Sequence, residues 1–230
     1  MIEVFVINLD RRQDRLNSVT ERLLRAGLSF SRFSASEGAG TSSSWPLSPP
    51  IVGNWLSHSG VLLEFIASKA EYALVLEDDV VPREDAVGEM PRILAELSKF
   101  MMEFSVGVLQ LGYIEHLSKP WTRHGFGQLL IQTILGSRRK VWRSPNGQKF
   151  HYCEDLFRAG AHAYLISRPA AEILAQSNQP AIFVSDEFFS HLARKNQPRG
   201  EALKFASLSR SLFSQASRSG HGGPVDSDVG

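Results

Sequence analysis

The sequence has 230 residues, of which 43% are hydrophobic and 21% are charged, a composition typical of a globular protein with one α/β domain and its own core. The formal net charge of +1 gives no reason to expect nucleic acid as a partner, so any anion binding must come from a local cluster. The single cysteine, Cys153, excludes an intrachain disulfide and a zinc site built from cysteines.

The first ten residues lack the basic flank and the longer apolar core of a signal peptide, and no apolar run has the length of a transmembrane helix. The sequence therefore predicts a cytoplasmic protein. It is also compatible with a peripheral contact at the inner face of a membrane.

The first third of the sequence alternates between strand and helix patterns. Residues 2–8 form an apolar run that predicts a buried strand, followed by a polar turn. Apolar residues at helical spacing predict a helix over 13–26, and residues 28–33 predict a second strand. After a loop rich in Ser, Gly and Pro, helical spacing returns over 52–69. This order predicts one α/β domain with a mainly parallel sheet flanked by helices.

The central prediction concerns a strand over residues 72–76 that runs directly into Glu77, Asp78 and Asp79. Three adjacent carboxylates at the end of a buried strand need a cation or strong donors. Ligands of open α/β sheets bind beyond the carboxyl ends of the strands, and Mg²⁺ or Mn²⁺ with a diphosphate suits such oxygens. Acidic residues are also favoured where a helix begins, so a solvated turn is the alternative.

The middle of the sequence is less regular. Residues 82–100 predict a helix, and residues 106–111 predict a strand. Residues 127–135 are a further strand candidate, whereas residues 137–143 are typical of an exposed basic loop. The basic run 138–140 is either solvated or a contact for an anionic, lipid-linked or phosphorylated acceptor.

The last third restores clear signals. Residues 161–167 predict a strand, and Ser185 predicts the N-cap of a helix that carries Asp186. An acid in the first helical turn is either a partner of the helix dipole or a catalytic base. Residues 1–206 are expected to form the folded domain, and the Ser- and Gly-rich residues 207–230 a flexible tail.

Five ordered segments of the sequence resemble glycosyltransferase family 25, which includes sugar transferases of lipopolysaccharide and lipooligosaccharide biosynthesis. The segments are Asn8-Leu9-Asp10-Arg11-Arg12 with Arg15, Leu56-Ser57-His58, Leu76-Glu77-Asp78-Asp79-Val80, Ala161-His162-Ala163-Tyr164-Leu165-Ile166-Ser167, and Val184-Ser185-Asp186. In order and spacing, the resemblance covers residues 2 to about 192.

The resemblance implies a GT-A-like, Rossmann-like fold and an inverting transfer of a hexose, usually galactose, from a UDP-sugar with Mn²⁺ or Mg²⁺. The acceptor would be a saccharide or lipid-linked saccharide. By position, it implies metal ligands at Asp79 and Glu77 and acceptor binding or base catalysis at Asp186. Donor binding is implied for the following residues: Asn8, Asp10, Arg11, Arg15, His58 and Asp78.

Other interpretations of the same residues stay open at this stage. The sequence has Ile51 and Asn54 where the resembled pattern often has Glu and Cys, which allows a catalytically inactive module that binds a sugar or a partner. A metal-dependent phosphohydrolase would use the same acids. His58 on an apolar helix is either a core residue or a ligand, and Trp121 and Trp142 are candidates for stacking on sugar rings.

Overall fold

The computed structural model of the protein describes residues 1–38, 47–114, 139–177, 183–194 and 203–216. Within these ranges, ten strands form one sheet with helices on both faces. The strands are β1 Ile2–Asn8, β2 Ser31–Ser34, β3 Tyr72–Glu77, β4 Val80–Pro82, β5 Val106–Gly112, β6 Arg139–Arg143, β7 Lys149–Glu154, β8 Ala163–Ser167, β9 Lys204–Leu208 and β10 Phe213–Gln215. The helices are α1 Gln13–Arg25, α2 Pro49–Ala67, α3 Met90–Glu103, α4 Arg168–Ala175 and α5 Ser185–Arg194.

The predicted α/β sheet flanked by helices is confirmed, and its strand directions are mixed. The main order is β2-β1-β3-β8-β5-β9-β7-β6, with β10 joining β4 and the end of β5. β1 is parallel to β2 and β3, but β8 is antiparallel to both neighbours, β3 and β5. Because of this reversal, β8 begins at the edge of the sheet where β1, β3 and β5 end.

Side-chain alternation along each central strand divides the core between two faces of the sheet. In β3, Leu74 and Leu76 pack with α1 and α3, whereas Ala73 and Val75 pack with α2, α4 and α5. Fully buried central strands of this kind have an almost continuous apolar sequence, which is why β3 could be predicted from the sequence.

Residues 139–143 of the basic segment predicted as a loop instead form a strand at the end of the strand order, and residue 137 lies outside the described residues. β6 pairs with β7 in an antiparallel hairpin, and Trp142 turns inward onto Phe100 and stacks on Phe150. The Trp142 indole donates to Glu103 at 2.9 Å, so this side chain is a packing residue and is not available to stack on a sugar. The predicted strand at 127–135 and Trp121 lie outside the described residues, as does residue 138 of the basic run.

The helix predicted over 82–100 is divided. β4 ends at Pro82, a short 3₁₀ turn covers Glu84–Ala86, and α3 begins only at Met90. Gly88 lies between them with a φ of +81°, a left-handed conformation that a continuous α-helix does not contain.

The chain beyond residue 206 contributes to the sheet. The predicted boundary falls inside β9, and β10 then pairs antiparallel with β4. The Ala216 amide donates to the Asp79 carbonyl at 2.7 Å, so the described part of the expected flexible tail is ordered against the acidic strand end. The remainder, including His221 and Asp228, lies outside the described residues.

Two glycines allow the loop after β2 to contact α2 directly. A Cβ on Gly53 would lie 2.8 Å from the Gly38 amide nitrogen and would also overlap the Ser36 carbonyl. The Ser36 amide donates to the Ser57 hydroxyl at 2.8 Å, which fixes the same contact from the next helical turn. Backbone therefore packs on backbone where the loop borders the acidic edge of the sheet.

We expect Gly53→Ala to lower the free energy of unfolding by about 1–3 kcal/mol, because the added methyl group overlaps backbone atoms that cannot rotate away. This sign is opposite to the gain of about 1 kcal/mol that Gly→Ala usually gives inside a helix. The measurement is urea denaturation of the variant and the wild type.

Gly60→Ala in the same helix is the matched control. The three atoms nearest to its Cβ would all belong to the ring of Phe33, the first at 2.5 Å, and a ring can shift. Gly60→Ala should therefore cost less than Gly53→Ala. Equal costs would show that the backbone contact at Gly53 is not the source.

Candidate active site

A cavity of about 370 Å³ lies at the edge of the sheet where β1, β3 and β5 end and β8 begins. Its wall combines apolar residues with a concentration of charged ones. The charged side chains that line it are Arg11, Arg15, Glu37, Glu77, Asp78, Asp79 and Asp186. The acidic strand end predicted from the sequence thus opens into a cavity.

Glu77 is held by side chains behind it. Asn54 donates to its Oε1 at 3.3 Å, and His58 Nε2 lies 3.4 Å from the same oxygen. The other His58 nitrogen is 3.0 Å from the Tyr164 hydroxyl. Burial alone would raise the pKa of Glu77, but the interactions with His58, the charge of His162 and the hydrogen bond from Asn54 together lower it overall. His58 is completely buried, so it supports Glu77 from the core.

Asp78 is paired with residues from the end of β1 and from α1. Asn8 donates to its Oδ2 at 2.8 Å, and Arg15 donates to its Oδ1 at 3.1 Å. Burial raises the pKa of Asp78, and the bonds from Asn8 and Arg15 oppose that rise. Asn8 is itself buried and accepts a bond from Arg32, so it ties β1 to β3 and β2.

Asp79 differs from its two neighbours. Its Oδ1 is buried and has no hydrogen-bond partner within the described ranges. Burial and the negative charges of Glu77 and Asp78 raise the pKa of Asp79 to about 7. A buried carboxylate oxygen in this state is suited to a cation or to a proton.

The acids at the strand end fit only part of the coordination shell of a divalent metal ion. In the part of the chain that the structure describes, no group of three or more His, Cys, Asp or Glu side chains is arranged to hold a metal ion alone. Mg²⁺ in nucleotide enzymes commonly takes only one or two carboxylates and completes its shell with phosphates and water. Asp79 Oδ1 is suited to be one such oxygen, whereas Oε1 of Glu77 already accepts a bond from Asn54.

The polar turn after β1 lies at the rim. Arg11 lines the cavity and pairs with Glu37 at 3.0 Å, joining this turn to the loop after β2. Asp10 is exposed, pairs with Arg32 and accepts a bond from Ser34 at 2.9 Å. These bonds lower the pKa of Asp10.

Asp186 lines the cavity from the first turn of α5. Its Oδ2 accepts the Gly160 amide at 2.7 Å, and its Oδ1 accepts the Glu187 amide at 2.9 Å. Both oxygens are oriented by backbone donors, and each keeps a second lone pair. Ser185, which was expected to cap the helix, is its first residue, and its hydroxyl donates to Asn54 Oδ1 at 2.5 Å.

Gln110 is a site-supporting residue that the sequence reasoning missed. It is completely buried in β5, and its amide donates to the carbonyls of Arg158 and Gly160 at 2.9 and 2.7 Å. Its carbonyl oxygen accepts from the Arg158 amide and the Ser207 hydroxyl. The signal was available, because a single Gln within an apolar strand must find partners for all its polar groups.

The structure therefore brings together six of the nine predicted site residues at the cavity: Arg11, Arg15, Glu77, Asp78, Asp79 and Asp186. The other three lie behind or beside it. Asn8 and His58 hold the acids from the core, and Asp10 is paired at the surface.

Comparison with family models gives a match over residues 1–189 to the family described as glycosyltransferase family 25 (LPS biosynthesis protein). The match covers all five segments of the resemblance and the acidic strand end. A comparison with curated protein sequences gives no match.

Among solved structures, the chain is similar to a glycosyltransferase involved in the glycosylation of the major capsid of PBCV-1. The TM-score is 0.53 at 10% identity, over 93% of this chain and 91% of that chain. A197 from STIV (TM-score 0.44, 16% identity, 92% and 82% coverage) and residues 1–349 of S. aureus TarS (0.45, 11%, 94% and 60%) are also similar. At these identities, the first similarity shows a shared fold and no more.

The raised pKa of Asp79 predicts a distinctive pH dependence of stability. The unfolded chain releases this proton near pH 4, but the folded chain keeps it until about pH 7, so the contribution of Asp79 to stability falls as the pH rises between these values. Without added metal, we expect the free energy of unfolding of Asp79→Asn, relative to that of the wild type, to rise by about 2–4 kcal/mol as the pH goes from 4 to 8. Urea denaturation at several pH values measures this difference.

Asp85→Asn is the control with the opposite sign. Arg83 lowers the pKa of Asp85, so the contribution of Asp85 is lost as the pH falls rather than as it rises. A flat difference between Asp79→Asn and the wild type across this range would contradict the account of Asp79.

Proposed function

The chain belongs to glycosyltransferase family 25, and we propose that it transfers a hexose, with galactose as the first candidate, from a UDP-sugar to a saccharide acceptor of lipopolysaccharide or lipooligosaccharide biosynthesis. Membership of the family makes it a transferase. The observation that carries the proposal is that one cavity holds both an acidic strand end and a separately supported carboxylate, Asp186. In the proposed inverting transfer, the strand end would help to offset the charge of the leaving diphosphate, and Asp186 would accept the proton of the acceptor hydroxyl.

On the donor side, the strand end would receive the diphosphate. Asp79 would hold Mn²⁺ or Mg²⁺, with Glu77, two residues earlier in the chain, as a second ligand, and this metal would offset the negative charge of the leaving UDP. Arg11 at the rim and Arg15 beside Asp78 place positive charge near the same end of the cavity.

On the acceptor side, Asp186 would take the proton of the attacking hydroxyl. That oxygen forms a bond to the anomeric carbon from the face opposite the diphosphate, and the bond between that carbon and the phosphate oxygen breaks with its electron pair going to UDP. The proton passes to Asp186, and the configuration at the anomeric carbon inverts. The Gly160 and Glu187 amides hold the carboxylate without using the lone pairs needed for the proton.

A second surface fits an anionic acceptor environment. Cross-strand pairing in the β6–β7 hairpin places Arg139, Val141, Arg143, Lys149 and His151 on one face, and all five are exposed. Among the described residues, the three long cations on this face have no ion-pair partner. We propose that this hairpin face contacts the anionic membrane surface that carries a lipid-linked acceptor. No helix in the described ranges is long and apolar enough to cross a membrane.

Asp186→Asn tests the proposed base. The amide can keep the contact with Glu187 or Gly160 but cannot accept a proton, so we expect turnover to fall about 10²- to 10⁴-fold. UDP binding measured by calorimetry in Mn²⁺ should be unchanged. Transfer from UDP-galactose and UDP-glucose to a lipooligosaccharide acceptor provides the rate.

Asp79→Asn is the complementary variant, and it should lose the part of UDP binding that a chelator also removes. If Asp186→Asn turns over at the wild-type rate, Asp186 is not the base. If neither UDP nor a UDP-sugar binds to the wild type with or without Mn²⁺, the proposed donor is wrong.

The hairpin proposal predicts that the wild type co-sediments with phosphatidylglycerol vesicles and not with phosphatidylcholine vesicles. Each cation near an anionic surface contributes about 1 kcal/mol, so reversing the charge of Arg139, Arg143 and Lys149 together should reduce binding more than 100-fold. Raising the salt concentration to about 0.5 M should also weaken vesicle binding by the wild type, because salt screens the charges.

A variant with Arg25, Lys69 and Arg92 changed to Glu has the same net charge as the hairpin variant. These cations are exposed on or next to helices. Equal loss of vesicle binding in both variants would contradict a specific role for the hairpin.

A further inference from the structure

We propose that Asn54 is a positioning residue that fixes the separation between the acidic strand end and Asp186. This inference rests on the proposed function, because it assigns a mechanical role within the same site. Asn54 is the residue at which the observed hydrogen bonds from the two halves of the site meet.

Asn54 lines the cavity from α2 and makes two hydrogen bonds, one as a donor and one as an acceptor. Its Nδ2 donates to Glu77 Oε1 at 3.3 Å, and its Oδ1 accepts from the Ser185 hydroxyl at 2.5 Å. Glu77 is the last residue of β3, and Ser185 is the first residue of α5. One side-chain amide therefore connects the strand that carries the metal-binding acid with the helix that carries the base.

The contacts of α2, the helix that carries Asn54, fix its position relative to the loop after β2 and to α5. The backbone of Gly53 lies against the loop after β2, and Trp55 packs edge-to-face on Phe188 and Phe189 of α5. Both α2 and α5 belong to the same core cluster on one face of the sheet. Asn54 thus projects from a fixed backbone position. Its two hydrogen bonds can therefore limit the movement of Ser185 relative to Glu77.

An inverting displacement requires a fixed distance between the acidic strand end and the base. The leaving diphosphate and the base must lie on opposite sides of the anomeric carbon, and small errors in reacting distances reduce rates steeply. Ser185 is adjacent to Asp186, so a shift of the first turn of α5 moves the carboxylate relative to Asp79. Asn54 opposes that shift, because its side-chain amide is hydrogen-bonded to both Ser185 and Glu77.

The test is a double-mutant cycle between Asn54→Ala and Ser185→Ala, with kcat and the KM for UDP-galactose measured in Mn²⁺. We expect Asn54→Ala to lower kcat roughly 10- to 100-fold with little change in KM. Because Ser185→Ala cuts the same bridge, the double variant should be hardly slower than Asn54→Ala alone. Additive effects on kcat would overturn the bridge.

Hydrogen exchange gives a readout that does not depend on activity. The amides in the first turn of α5 should exchange faster in Asn54→Ala than in the wild type, while those of β3 and β8 should not. Unchanged exchange in α5 would overturn the proposal, whatever the kinetics. If α5 loosens but the wild type transfers no sugar from any UDP donor, the positioning role stands and the proposed reaction fails.

Two further variants make the result specific. Asn54→Asp keeps an oxygen for Ser185 but faces Glu77 with an anion, so it should also lower kcat, and recovery of the wild-type rate would contradict the donor half of the bridge. Asn146→Ala removes an amide that bonds Glu96 at 2.9 Å in a contact away from the cavity. It should leave kcat and α5 exchange unchanged, and an equal effect would show that any lost amide bond slows the enzyme.

Discussion

The structure of the site depends on one electrostatic constraint: three consecutive carboxylates follow a strand whose apolar side chains are fully buried. Each carboxylate meets this constraint differently. Glu77 is supported by Asn54 and His58, and Asp78 is paired with Asn8 and Arg15. Asp79 keeps a buried oxygen without a partner in the described chain, and its raised pKa records that condition.

Much of this arrangement could be predicted from the sequence, because its causes are local. The apolar run of β3 followed by acids marks both a buried strand and the edge where ligands bind. The residues that follow β1 could be placed near the same edge by the same reasoning. Asp186 could be placed on the first turn of a helix, although its assignment to the same site as Glu77 depended on a resemblance.

Other features could not be predicted, because their causes lie in distant parts of the chain. β8 lies antiparallel between β3 and β5, and nothing within residues 161–167 encodes a direction. The segment that contains β6 was predicted as a loop because its exposed cations hide Trp142, the one buried residue of that strand. The return of β10 to β4 depends on pairing across more than 130 residues, and its sequence alone was typical of a tail.

The same distinction separates the acids from the amides that hold them. Carboxylates in a row are conspicuous in a sequence, whereas Gln110 and Asn54 acquire a role only through their partners in space. Gln110 uses its whole amide group to hold the loop that presents the Gly160 amide to Asp186, and Asn54 holds the helix that carries Asp186. A carboxylate on a solvent-facing helical turn would otherwise be free to reorient. Neutral amides are suited to this task, because they supply a donor and an acceptor without adding charge beside four carboxylates.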